Sequence, residues 1–304
     1  MSEDTSAPSD PQRELQILTT KLSPESERIL RDVVDGRYVR CVDEITTFAL
    51  EKVFAIQSVS HYGQRDDDAS GGHYFIDSQS TTTELKRFER FARARDLCRD
   101  PAERASKTFE FTYTAVRSSL ATLQNALRAR NIRTIYEAPL LDALYFPLLD
   151  TPLFEGDQST HCTMLIYIVR RQELVLFDSL APSGHQKIAR SIAAMLIATR
   201  LVEPQKLNLR LPIAPQQHGV TECGWCAIIF AVWWRVATPE TDVRDVINVT
   251  ISHADIVGVA RSILEKQAHC RAVASYADRL QRAFFVLSDR ANLVQRTKQA
   301  KKTT

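Results

Sequence analysis

Cys223 lies where a polar, glycine-containing loop meets an apolar run, in PQQHGVTECGWCAIIFAVWW, residues 215 to 234. The apolar run predicts a buried helix whose first turn carries Cys223. Unpaired backbone N–H groups at a helix N-terminus favour negative charge, and so a thiolate over a thiol. Gln217, upstream in the loop, is close enough to aim its side-chain NH2 at the same spot, as an oxyanion donor would. A nucleophilic cysteine also needs a base. The candidate is His161, in STHCTMLIYIVRRQELVLFDSL. CTMLIYIV and ELVLFD read as two strands joined by a short polar turn. His161 opens the first strand and Asp178 closes the second, so a hairpin sets them side by side. An aspartate beside an imidazole fixes its tautomer and stabilises the imidazolium formed in catalysis. The chemistry open to this set is acyl transfer to a thiolate.

The elements that must position these residues follow from local pattern. Ser23-Pro24-Glu25 marks a helix start that should run to Gly36. Asp43 to about Phe54 repeats apolar residues at helical spacing. Residues 63 to 72 read as an exposed loop. Residues 82 to 130 read as helices with a break near Pro101. Their arginines, interleaved with Glu84, Glu89 and Glu103, read as a solvated face. A helix is expected from Ser183 to Arg200, and LNLRLPI as a short strand. Further helices are expected at 243–248, 254–268 and 272–298, with disorder over the first dozen residues and fraying at KQAKKTT. Cys226, one turn beyond Cys223, reads as core, and so do Trp225, Trp233 and Trp234. Cys162 alternates with His161 and should face the other way. His185 and His218 lie near the site, but neither opens a strand whose hairpin partner ends in an acid. His61, His73, His253 and His269 read as surface or loop residues.

In order and spacing, His161, Phe177-Asp178-Ser179-Leu180, a helix, a short strand, Gln217 and Glu222-Cys223-Gly224 resemble the ubiquitin-like-protein protease family of cysteine peptidases. GRYVRCVDEITTFALEKV and HYFIDS resemble its entry helix and following strand. The resemblance covers roughly residues 28 to 236, with Glu222 where the family usually has Asp. It implies an α+β fold, a papain-like or adenain-like core with a mixed central β-sheet flanked by helices, here with extra N-terminal and C-terminal helices. The chain then divides into an N-terminal segment at 1–22, a protease domain at 23–239 with a helical insertion near 82–130, and a helical extension at 240–304. The implied catalytic set is His161, Asp178, Gln217 and Cys223. The implied partner is a ubiquitin-like protein or its conjugates, with no cofactor.

Two departures concern specificity. Family members that cleave after Gly-Gly usually carry a tryptophan directly after the histidine and another in the entry motif. Here those places hold Cys162 and the Tyr38–Arg40 segment. Tyr145 and Phe146 are the candidate replacements for that aromatic roof. Two other activities stay open on the same residue order. One is an acetyltransferase of the Yop type, which takes acetyl from acetyl-CoA and favours Glu at the hairpin end. The other is a viral-type polyprotein-processing protease. A net charge of +2 gives no reason to invoke nucleic acid. No apolar stretch has spanning length, and the first residues lack the features of a signal peptide. Six scattered cysteines in 304 residues read as reduced thiols without metal-ligand spacing. The expectation is therefore an intracellular enzyme, cytoplasmic or nuclear, or an effector delivered to a host if its source is bacterial.

Overall fold

The computed structural model describes residues 21–62, 72–76, 116–139, 141–149, 161–179, 185–212, 221–236 and 251–265. Helix α1, Pro24–Val34, begins where Ser23 Oγ accepts the Ser26 N–H at 3.2 Å, with proline at the first helical position. It stops just before Gly36, whose φ of +87° suits a residue without a Cβ. Helix α2, Asp43–Phe48, runs into a single π-helical turn, Ala49–Val53, within the span expected to be helical. Helix α3 covers 116–129. Helices α4, His185–Ala198, α5, Cys223–Val236, and α6, His253–Glu265, complete the described set.

Six strands form one sheet in chain order: β1 Gln57–Ser58, β2 His73–Phe75, β3 Ala143–Leu149, β4 Cys162–Ile168, β5 Glu173–Phe177 and β6 Asn208–Arg210. β1, β2 and β3 pair in parallel, β3 to β5 antiparallel, and β5 with β6 in parallel. The fold is α+β with a mixed sheet between helices, the class expected from the sequence.

Alternation along β4 divides the interior. Cys162, Met164, Ile166 and Ile168 point into a core shared with α1, α2, α5 and α6. Leu165, Tyr167 and Val169 point into a second core, shared with α3 and α4. A strand covered on both faces must be apolar on both, which is why CTMLIYI carries no alternation of polarity. α5 is buried on every side, with Trp225, Phe230 and Ala231 at 0–1% exposure. A helix apolar all round belongs at the centre of a domain.

The histidine expectation needs correcting. His73 is a strand residue of β2. Its Nδ1 lies 2.7 Å from the hydroxyl of the fully buried Tyr145. Burial, with the Arg235 charge, pushes its pKa down to about 3, so this imidazole is neutral. His253 opens α6, with its ring tilted 32° against that of Tyr38 and centroids 4.3 Å apart. The expected loop at 63–71, the arginine-bearing helices before 116, His218, His269 and the helices at 243–248 and 272–298 lie outside the described residues.

Candidate active site

The β4–β5 hairpin and the head of α5 converge at one end of the sheet. His161 directly precedes β4, and Asp178 directly follows β5. In the antiparallel register Met164 opposes Phe177, so Asp178 falls level with Thr163, and His161 lies two residues further along at the hairpin's open end, within side-chain reach of Asp178. Asp178 Oδ1 lies 2.7 Å from His161 Nε2. A carboxylate can only accept, so the imidazole donates from Nε2 and keeps Nδ1 as its basic nitrogen.

Cys223 is the first residue of α5 and is 3% exposed. Its side chain bonds that of His161, and the backbone N–H groups of Cys162 and Gly224 also bond the sulfur. Burial resists a charge on the thiol. The His161 bond, the two backbone donors and the imidazolium charge outweigh it, and the thiol lies below its ordinary range. Burial likewise opposes a charge on His161, yet the hydrogen bonds and negative charges of Asp178 and Cys223 raise it to about 9. Both shifts run in the direction that favours a thiolate–imidazolium pair. Cys226 takes the opposite course. Burial, then the negative charges of Glu222 and Cys223, push its thiol up to about 12, and it stays protonated in the core.

The structure thus brings His161, Asp178 and Cys223 together. Gln217 lies outside the described residues. Cys162 faces away from His161 into the core that contains Cys223. All three tryptophans are buried, at 1–6% exposure. Tyr145 and Phe146, the candidate roof aromatics, are 0% and 1% exposed within β3. They cannot border a cleft, because β3 is paired on both edges and covered on both faces.

Two residues matter here whose contacts the sequence does not give. One is Cys41. The 39–41 segment crosses the head of α5, where the Trp225 indole N–H donates to the Val39 carbonyl at 2.9 Å. A Cβ on Gly224 would come 2.7 Å from the Cys41 Cβ, so Gly224 is needed for this crossing. The other is His185, whose ring stacks on His161 with centroids 5.1 Å apart. An entry segment followed by helix-start glycine hinted at the first. The second is legible in the sequence as a histidine near the site, but its stacking on His161 is not.

Among the described residues, no three His, Cys, Asp or Glu side chains gather as a metal set, and no helix is long and apolar enough to cross a membrane.

No protein-family model matches the chain, and no curated protein does. Solved structures resemble it at low identity. The C-terminal Ulp1 protease domain in complex with Smt3, the yeast ortholog of SUMO, is 13% identical, with 88% of this chain and 99% of that chain covered and a TM-score of 0.43. The Ulp1-like SUMO protease catalytic domain of Chaetomium thermophilum is 12% identical, over 82% and 91% of the two chains, with a TM-score of 0.41. The Chlamydia trachomatis effector Cdu1, bound to ubiquitin, is 14% identical over 46% and 64%, with a TM-score of 0.31. At these scores the functional proposal rests on the side chains of the site.

Proposed function

We propose that the chain is a thiol-dependent peptidase or isopeptidase that cleaves the C-terminal tail, or the isopeptide linkage, of a protein of the ubiquitin, SUMO or NEDD8 class. The observation that carries the chemistry is one imidazole bonded to Asp178 at 2.7 Å through Nε2 and to the Cys223 thiol at the head of α5. The substrate class comes from the sequence resemblance described above.

In this reaction His161 Nδ1 holds the proton taken from Cys223 Sγ, and Asp178 keeps the ring in its donating tautomer. The thiolate attacks the scissile carbonyl and forms a C–S bond. Charge moves to the carbonyl oxygen, where the Gln217 amide is proposed as a donor. One such donor is typically worth about 3 kcal/mol. The intermediate expels the amine, which takes the proton from His161. His161 then accepts a proton from water, the hydroxide attacks the thioester, and the carboxylate product and free thiol are restored.

The segment at the head of α5 bears on the residue before the scissile bond. Members of the resembled family that cleave after Gly-Gly usually carry a tryptophan directly after the histidine and another in the entry motif, places held here by the buried Cys162 and the Tyr38–Arg40 segment. The cleft should therefore accept a residue larger than glycine at that position. The decisive experiment uses full-length ubiquitin, SUMO and NEDD8 bearing a C-terminal electrophile, with mass spectrometry of the adduct. A covalent adduct on Cys223 that is lost in His161→Ala is expected. No adduct from any of them, but an acetyl group on Cys223 from acetyl-CoA, would move the assignment to the transferase.

A further inference from the structure

Asp178 and Cys223 account for the edge of the His161 ring, but not for its face. His185 opens α4 at 2% exposure, and its ring plane lies 23° from that of His161 at a centroid separation of 5.1 Å. His185 Nδ1 lies 2.8 Å from Thr163 Oγ1. Thr163 is fully buried in β4, two residues beyond His161. The titratable groups that meet the His161 ring are thus Asp178 at the end of β5, Cys223 at the head of α5 and His185 at the head of α4.

A buried imidazole is a costly filler. It must be desolvated and given a hydrogen-bond partner, where a leucine would need none. What it offers instead is a flat π-face held at a fixed angle. Asp178 and Cys223 hold His161 at two points of its edge, which still lets the ring tilt about the line between them. A stacked ring limits the tilt and keeps water from that face of the Asp178 bond. It also suits a charged imidazolium better than an aliphatic surface does.

We propose that His185 is a positioning residue for the thiol chemistry: anchored by Thr163 and stacked on His161, it holds the His161 ring in the plane that links Asp178 to Cys223. This inference rests on the assignment of Cys223 and His161 as nucleophile and base.

The test follows iodoacetamide alkylation of Cys223 across pH by mass spectrometry in the full-length protein, beside thermal melts. His185→Asn keeps a polar group for Thr163 but removes the broad ring. His185→Phe keeps the ring face and removes the polar group. In His185→Asn, alkylation should slow about tenfold at pH values where the thiolate is the minor form, the equivalent of a one-unit rise in the thiol pKa. His185→Phe, which keeps the ring face but loses the Thr163 anchor, should slow less than His185→Asn, even where its melting temperature falls. Thr163→Val, which frees the His185 ring, should lie between the wild type and His185→Asn. A folded His185→Asn with the wild-type profile would overturn the proposal. So would a folded His185→Phe as slow as His185→Asn. If both fail to fold, Thr163→Val decides: a slowed profile supports the proposal and an unchanged one overturns it. If the wild type alkylates no faster than His161→Ala, the nucleophile-and-base assignment itself falls, and the inference with it.

Discussion

Cys223 and Cys226 sit three residues apart in α5 and meet opposite environments. Cys223 has an imidazole and two backbone N–H groups around its sulfur, whereas Cys226 has burial and two nearby negative charges. Cys223→Ala should therefore abolish adduct formation and turnover. Cys226→Ala should keep turnover while costing roughly 1 kcal/mol in denaturant melts, as small core truncations do. Loss of turnover in folded Cys226→Ala with turnover kept in Cys223→Ala would reverse the assignment. The pH dependence follows from His161. The reactive pair exists above the depressed thiol value and below about 9, where the imidazolium deprotonates. Activity should rise with pH through the first and fall through the second. Asp178→Asn removes the contact that raises His161, so the alkaline limb should move to lower pH, with the rate down roughly a hundredfold or more. An alkaline limb unmoved in Asp178→Asn would detach Asp178 from the titration. These residues were legible because the chemistry demands their types, and because their order along the chain resembles that of a known family. The choice of Nε2 for Asp178 and Nδ1 for the thiol was not, since it depends on ring orientation.

The hairpin and the head of α5 are elements whose signals are local. β-branched runs around a polar turn mark one, and a polar loop entering an apolar run marks the other. The covering segment at 39–41 is different. Its place is set by the Trp225 indole bond to Val39, across a separation of 186 residues, and nothing in GRYVRC announces that contact. The same crossing explains Gly224. Alanine is the better helix former by about 1 kcal/mol, but here its Cβ would meet Cys41 at 2.7 Å. Overpacking of this kind costs roughly 1–3 kcal/mol. Gly224→Ala should lower stability and slow Cys223 alkylation, because the displaced segment disturbs the helix end that stabilises the thiolate. Cys41→Gly removes the opposing Cβ, so Gly224→Ala should cost less in a Cys41→Gly background. A double-mutant cycle in chemical denaturation reads that coupling directly. Additive effects of the two changes would mean that the clash is relieved elsewhere.

At the scale of the molecule, the sheet joins two cores, and the site lies at the end of the strands that serve both. β4 places Met164 and Ile166 in one and Leu165 and Tyr167 in the other. Read from the sequence, 240–304 is an extension beyond the protease domain. The apolar spacing of Ile256, Val259, Ala260 and Ile263 was visible there, but a stripe does not say which core it joins. In the structure α6 packs against α1 and α5, and these four residues sit at 0–4% exposure in the same core as Cys223. Their burial makes α6 a wall of the helix that carries the nucleophile. Ile263→Ala should then cost about 2–5 kcal/mol, as a large-to-small change at a fully buried site does. The informative readout is the shape of the melt. If α6 belongs to the cooperative unit, Ile263→Ala and Leu120→Ala, on opposite sides of the sheet, should each shift one common transition. Followed by alkylation of Cys223 during the melt, loss of thiolate reactivity should coincide with that transition in both variants. Two separate transitions, with Ile263→Ala moving only the smaller and Cys223 reactivity following the larger, would make α6 part of a separable extension, as read from the sequence.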